Sequence, residues 1–215
     1  MATWTDEVRN AGSGKADPSS ADLGVALNRA MSGDEAGFLD LWRQLQPRLL
    51  RFLRVLNCDD AEDIASETWL AVVRDLSKFS GGEEDFRRWL FTIGRHRAID
   101  HARARRSRPA IPVAEMPSVA DEDLVEDQVL HAISARTAVK LLAALPVDQA
   151  ETVALRVLAG LDTSAVANIL GKSPGAVRVS LHRGLRTLAG SPAVQELARP
   201  PGRYGRHRAP EEVDP

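Results

Sequence analysis

Apolar side chains recur every three or four residues through most of this chain of 215 residues. The longest such stretch covers residues 38–56, and shorter ones follow Asp60, Asp85, Pro146 and Ser173. This spacing places the apolar side chains on one face of an α-helix, whereas a half-buried strand would alternate every second residue. Runs of β-branched residues are scarce and the chain has one Tyr, which disfavours a β-sheet. The sequence therefore predicts an all-α fold of amphipathic helices.

Residues that begin helices stand directly before several of these stretches. Asp34, Asp60, Asp162 and Ser173 each place a side-chain oxygen where it can accept a hydrogen bond from the first turn of the next helix. Inside the longest stretch, Pro47 lacks the backbone N–H that a helix interior needs. This predicts a kink or two abutting helices at that point.

Residues 110–130 are a different kind of sequence, with six acidic residues and no basic residue. A segment of like charges repels itself and stays extended, so it predicts a flexible acidic linker between two small helical domains. The predicted organisation is a disordered N-terminal segment (1–20), a first domain (21–109), the linker (110–133), a second domain (134–190) and a disordered tail (191–215).

The strongest motif is a pair of short helices joined by a tight turn between Asp162 and Leu188. Gly171 suits the end of the first helix, and Ser173 followed by Pro174 suits the start of the second. Such a helix-turn-helix places its second helix in the major groove of DNA. The alternative is an ordinary helical hairpin with a solvated basic face.

The second helix of this motif has two predicted faces. A core face holds Val177, Leu181, Leu185 and Leu188, and the rest of the helix and its approach are basic, with no acidic residue. Arginine can bond guanine with two parallel hydrogen bonds, and lysine or serine can hold phosphate. The residues expected to contact DNA here are Lys172, Ser173, Arg178, Val179, His182, Arg183 and Arg186.

A second basic stretch, residues 86–109, has eight arginines, one acidic residue and interleaved aromatic residues. A basic helix can follow a phosphate backbone, and aromatic rings can stack on unpaired bases. A solvated charged face is the alternative, and for Trp89 we favour a place in the core.

Residues 34–85 have the opposite sign, with twelve acidic and six basic residues. Within them, the helix after Asp60 is predicted to bury the apolar face that includes Trp69, Val72 and Val73. Its acidic face would repel DNA, so we expect it to meet solvent or a protein. The net charge of −2 is thus an average over blocks of opposite sign and does not exclude a nucleic-acid partner.

Several classes of function have no support in the sequence. The single cysteine, Cys58, excludes an internal disulfide or a multi-cysteine zinc site and suggests a reducing, cytoplasmic compartment. Neither a phosphate-binding glycine loop nor a nucleophile elbow is present, and no apolar run approaches the length of a membrane span. We expect no catalytic residue, no cofactor, no metal and no membrane insertion.

Three segments together resemble the extracytoplasmic-function (group IV) sigma factors of bacterial RNA polymerase. Residues 60–80 (DAEDIASETWLAVVRDLSKFS) and 86–109 (FRRWLFTIGRHRAIDHARARRSRP) are similar to conserved region 2 of that family. Residues 145–189 (LPVDQAETVALRVLAGLDTSAVANILGKSPGAVRVSLHRGLRTLA) are similar to region 4. The segments stand in the order and at the spacing of the family.

The resemblance implies a division of labour between the two domains. The helix after Asp60 would bind the β′ clamp helices of core RNA polymerase, and region 4 would sit on the β flap and read the −35 promoter element. The acidic linker would enter the path of the nucleic acid, and an anti-sigma factor is a further partner whose presence the sequence leaves open. The residues expected to bind polymerase are Asp60, Glu62, Asp63, Glu67, Trp69 and Asp75.

The resemblance also implies that region 2 recognises and opens the −10 element, with a flipped base held by the loop 77–85. The residues expected to contact this element are Lys78, Phe86, Arg88, Arg95, His96, Arg103, Arg105 and Arg106. Departures from the family pattern, such as His96 in place of the usual Asn, mean that a promoter sequence cannot be transferred. The alternative function is a helix-turn-helix repressor or activator that binds DNA without polymerase.

Overall fold

Helices form the fold of the part of the chain that the computed structural model describes, residues 20–56, 60–107 and 126–197. The predicted all-α fold is confirmed. A short 3-10 turn, Leu76–Lys78, follows the third helix. The α-helices are α1 (Ser20–Met31), α2 (Glu35–Val55), α3 (Ala61–Asp75), α4 (Glu83–Ser107), α5 (Glu126–Ala143), α6 (Val147–Val157), α7 (Thr163–Leu170), α8 (Pro174–Ala189) and α9 (Pro192–Leu197).

Two helices fall in segments that the sequence had marked as unstructured. Helix α5 begins at Glu126, so the last eight residues of the predicted linker are helical, and α9 lies in the predicted tail. Residues 125–145 contain neither proline nor glycine, which permits the longer helix. Residues 1–19 of the predicted N-terminal segment, 110–125 of the predicted linker and 198–215 of the predicted tail lie outside the described residues.

Helix α2 is the centre of the first half. Leu41, Leu45, Leu49 and Phe52 follow one another at helical spacing and are fully or almost fully buried. The ring of Phe52 meets the ring of Phe91 on α4 edge-on, with 5.4 Å between centroids. Burial of each such side chain contributes about 1.5–3 kcal/mol, so this stripe holds α2 and α4 together.

Pro47 does not divide this helix. One helix runs from Glu35 to Val55, so the expectation of two abutting helices is wrong. The Arg51 side chain donates a hydrogen bond from Nε to the Pro47 carbonyl at 3.0 Å. The apolar residues on either side of Pro47 are buried in the same core, and their burial outweighs the hydrogen bond that proline removes.

The predicted caps are confirmed at three of four helices. Asp34 accepts from the Ala36 N–H, Asp162 from the Ala165 N–H and Ser173 from the Ala176 N–H. Asp60 makes no side-chain cap, and its carboxylate lies instead 3.5 Å from Arg105 Nη2 of α4.

The two halves pack against each other. Helices α5 and α6 lie against α2, and α7 lies against α4. Buried apolar residues from both halves form one continuous core. None of the helices within the described ranges is long and apolar enough to cross a membrane.

Candidate nucleic-acid and protein interfaces

Helix α8 is held against α6 by its smallest residues. Val177, Ser180 and Gly184 are buried, and a Cβ placed on Gly184 would lie 2.7 Å from Val153 Cγ2 of α6. Leu185, predicted to face the core, is 46 % exposed, so that prediction is wrong. The adjacent Gly184 lies on the buried face of α8 in its place.

The opposite face of α8 is exposed and basic. The turn before it is closed by Gly171, whose φ of +64° is the left-handed conformation that glycine adopts without strain. No acidic residue lies on α8, so the exposed guanidinium groups have no anionic neighbour on their own helix. The exposed members of the predicted −35 set are Ser173, Arg178, Val179, His182, Arg183 and Arg186.

Lys172, the remaining member, is tied to a residue that the sequence analysis missed. Its ammonium forms an ion pair with the carboxylate of Asp148 at the start of α6. The buried Ser180 hydroxyl donates to Asp148 Oδ2 at 3.0 Å. Asp148 therefore connects α6 to the turn and to α8. The Lys172 ammonium, with a smaller effect from Ser180, holds the pKa of Asp148 below its ordinary value. The sequence signal that could have pointed to Asp148 is an acidic residue in the first turn of the helix after Pro146.

On α4, the predicted −10 residues divide into two groups. The first group lies on the outer face, exposed or half-buried, where a shallow groove is lined by Arg95, His96, Ile99, Asp100 and Arg103. Lys78 in the turn before α4 is also exposed. The members on or beside this outer face are Lys78, Arg95, His96, Arg103, Arg105 and Arg106.

The second group, Phe86 and Arg88, is buried, and its prediction as a DNA contact is wrong for this conformation. Phe86 has no exposed surface and meets the rings of Phe79 and Trp89 at centroid distances of 5.6 and 5.8 Å. Trp89 is a core residue, as favoured. Arg88 is 6 % exposed and donates from Nη2 to Asp85 Oδ1 at 2.6 Å. Both residues stabilise the start of α4, because they lie on its inward side.

Helix α3 presents acidic residues on its outer face. Glu62 pairs with Arg54 of α2, which lowers the pKa of the Glu62 carboxyl. Glu67 lies 3.3 Å from His101 Nε2 and 3.6 Å from Arg97 Nη1, both on α4. Asp60, Asp63 and Asp75 are exposed or half-buried.

Trp69 of the predicted polymerase-binding set is a core residue instead. It is 5 % exposed, its Nε1 donates to Gln46 Oε1 at 2.7 Å, and its ring meets Phe38 edge-on. The outer face carries two apolar residues in its place. Leu70 is 71 % exposed and Val73, predicted to be buried, is 55 % exposed. Leu70 stands out of phase with the buried residues of α3, which was the signal in the sequence.

Comparison with known proteins finds a family match for each half of the chain. Residues 41–108 match the family model "Sigma-70 region 2", and residues 136–188 match "Sigma-70, region 4". The ECF RNA polymerase sigma factor ShbA of Streptomyces griseus is 38 % identical over 177 residues, which cover 77 % of this chain and 93 % of ShbA. The chain belongs to the ECF sigma factors. It directs promoter-specific initiation of transcription as a DNA-binding initiation factor.

Further relatives agree with this sigma factor assignment. ECF RNA polymerase sigma factor BldN of Streptomyces coelicolor is 34 % identical over 177 residues, 81 % of this chain and 67 % of BldN. The solved structure of the sigma factor RpoE in complex with the anti-sigma factor NepR from Bartonella quintana covers 75 % of this chain and 98 % of RpoE. It has a TM-score of 0.51 at 23 % identity, which shows a shared fold.

The Asp148 contacts of this sigma factor predict a pH-dependent contribution to stability. Because the folded pKa of Asp148 lies below the unfolded value of about 3.9, its stabilising effect is complete above about pH 5. It is lost as the pH falls through the folded pKa. Asp148 is 62 % exposed, so Asp148→Asn should cost at most about 1 kcal/mol at pH 7.

Urea unfolding of the wild type and Asp148→Asn, measured from pH 7 down to pH 2, checks this. The two midpoints should converge in acid. In a Lys172→Gln background the effect of Asp148→Asn should shrink, because the ammonium is absent. A constant difference at every pH would contradict the assignment.

Proposed function

We propose that three separate surfaces of this sigma factor divide its work. The outer face of α3 binds core RNA polymerase, at the β′ clamp helices. The outer face of α4 and the turn before it engage the −10 element. The exposed face of α8 reads the −35 element while region 4 rests on the β flap. The exposed basic face of α8, a helix without an acidic residue, is the observation that carries this proposal.

The electrostatics support this division. Phosphate contacts supply much of the affinity of a DNA-binding face and require unopposed positive charge. Arg178, Arg183 and Arg186 are exposed on a helix without acidic residues. The acidic residues on α3 would repel DNA, and exposed Leu70 and Val73 beside them fit a protein surface.

At the −10 element, Lys78, Arg103 and Arg106 are suited to phosphate contacts. The aromatic residues Phe86 and Trp89 form the inner wall behind the α3–α4 turn. In this proposal they support the turn that receives a flipped base, whose unpairing costs a few kcal/mol. The chain supplies no catalytic group to the reaction and acts in the cytoplasm, where it meets polymerase.

Size-exclusion chromatography with bacterial core RNA polymerase tests the proposal. The full chain should co-elute with the core enzyme at low micromolar concentration. The holoenzyme should then give run-off transcripts from a promoter found by mapping genomic binding sites. Failure to co-elute, with tight and specific DNA binding by the chain alone, would favour a polymerase-independent repressor or activator.

Substitution of the recognition helix gives the finer prediction. Arg178→Ala and Arg183→Ala should each weaken promoter binding by about 1–3 kcal/mol, because each removes a guanidinium group from the exposed face of α8. Run-off transcription from the same promoter, with and without its −35 element, measures the effect.

Leu185→Ala is the matched control on α8, since Leu185 is exposed but carries no charge. It should leave transcription within about twofold of the wild type, a change that corresponds to less than 0.5 kcal/mol. Unchanged transcription in both arginine variants would show that another face reads the −35 element.

A further inference from the structure

Val179 is the apolar residue at the centre of the exposed basic face of α8. Its side chain is 50 % exposed. It lies two residues after the buried Val177 and five before the buried Gly184, so at 100° per residue it stands about 140–160° around the helix axis from both. Val179 therefore points almost directly away from α6, the helix against which α8 packs.

Basic side chains surround Val179 on this face. His182, Arg183 and Arg186 follow it three, four and seven residues along the helix, the spacings that place residues on one side. All three are exposed, and α8 has no acidic residue. The two arginines can reach phosphate groups at the edges of a groove, which leaves the valine facing the base edges between them.

The first turn of α8 lets the helix approach a groove closely. Gly175 and Ala176 precede Val179 and are exposed, and neither has a side chain beyond Cβ. A Cβ placed on Gly175 would have Ser173 Oγ as its nearest contact, at 3.9 Å, so nothing in the described part of the chain covers this side of the turn. Valine is short and touches a base only where its helix lies deep in the groove. The small residues before it permit that depth.

The major groove offers one apolar group that suits such a side chain. Thymine carries a C5 methyl group beside its O4 acceptor, whereas the other bases present hydrogen-bonding groups there. Valine has no side-chain donor or acceptor, so packing it against a polar base edge would leave that edge without a partner. Contact with a methyl group avoids this loss and removes apolar surface from water.

We propose that Val179 is a specificity-determining residue of the −35 contact and packs against the 5-methyl group of a thymine. The inference rests on the proposed function, in which α8 reads the −35 element. It adds a base that the arginines do not select, because their bidentate contacts favour guanine. The −35 element thus contains a thymine, on one strand or the other, whose methyl group contributes to binding.

Replacement of thymine by deoxyuridine tests the proposal, since uracil keeps the base pair and lacks only the methyl group. The promoter fragment found by mapping genomic binding sites is made with each −35 thymine replaced in turn. Fluorescence anisotropy measures binding of each fragment by the reconstituted holoenzyme at one salt concentration. One replacement should weaken binding by the wild type about threefold to fivefold, as expected for one methyl group removed from an apolar contact.

Val179→Ala identifies the residue that contacts this methyl group. The variant should bind the unmodified promoter more weakly than the wild type does. The uracil replacement should then have little further effect, because the apolar contact is already lost. Leu185→Ala, the exposed uncharged control on α8, should keep the full effect of the replacement. Circular dichroism verifies that both variants are folded.

Cytosine and 5-methylcytosine at the same position give a second comparison. Both pair with guanine, and they differ only in the methyl group. Methylation should strengthen binding by the wild-type holoenzyme and leave binding by the Val179→Ala holoenzyme unchanged.

Two results would overturn the inference. One is a −35 element in which no thymine replacement weakens binding, although Arg178→Ala and Arg183→Ala reduce transcription. The other is an equal effect of the replacement in the wild type and in Val179→Ala. Unchanged transcription in both arginine variants is a different outcome, since it would count against the proposed function of α8 and against this inference with it.

Discussion

A chain with Leu70→Asp and Val73→Asp should fold as the wild type does and lose its affinity for core RNA polymerase. Both side chains are largely exposed on the outer face of α3, so their replacement removes no core packing. At an interface they would be central apolar contacts among acidic residues. Two unpaired carboxylates would then have to be desolvated against polymerase, which should cost about 2–4 kcal/mol of binding free energy or more. Co-elution at low micromolar concentration should disappear.

Val25→Asp is the control for this pair. Val25 is 59 % exposed on α1, so the substitution places one aspartate, half of the charge that the double variant adds, at a similarly exposed valine on another helix. It should retain co-elution. Leu70→Ala with Val73→Ala should show an intermediate loss, because the apolar contact is removed without added charge. Full binding by the double aspartate variant would place the polymerase site elsewhere on the chain.

Leu49→Ala should strongly lower the stability of the fold. Leu49 has no exposed surface, and its Cδ1 lies against Gly94 of α4, 2.9 Å from the position that a Cβ would take. Truncation leaves a cavity between α2 and α4, and such leucine substitutions cost about 2–5 kcal/mol. Such a loss is a large part of the free energy of unfolding of a typical domain, which is about 5–15 kcal/mol.

Leu39→Ala is a matched control on the same helix, with identical chemistry. Leu39 is 40 % exposed, so its truncation should cost well under half as much. Urea unfolding followed by circular dichroism compares the two free energies. Equal losses would mean that the α2–α4 contact is not the packing that stabilises this half of the chain.

The helices and most of their caps could be predicted from the sequence because both depend on local patterns. Asp34, Asp162 and Ser173 cap as predicted since each cap needs only the backbone of the next turn. Asp60 does not, because its carboxylate lies near Arg105, 45 residues away in the chain. Periodicity also placed α5 too late, as an acidic helical turn resembles an acidic linker.

Functional residues were harder to predict where a side chain suits two roles. Phe86, Arg88 and Trp69 have the chemistry of nucleic-acid or protein contacts, and the fold buries all three. Their burial depends on the angle at which α3, α4 and α2 cross, which the spacing of one helix cannot reveal. Arg178 and Arg183 were predicted correctly to be exposed because they lie off the apolar face of their own helix, which is a local pattern. Asp148 was missed since its partners lie on distant segments.

Gly184 has a consequence for the evolution of promoter choice. The glycine lies on the buried face of α8, and its lack of a side chain lets α8 approach Val153 closely. In the proposed −35 contact, the angle at which Arg178 and Arg183 would meet the groove is therefore set by the volume of a residue on the opposite face of α8. A lineage could retain every DNA-contacting side chain and still drift to other promoters through the size of this one hidden position.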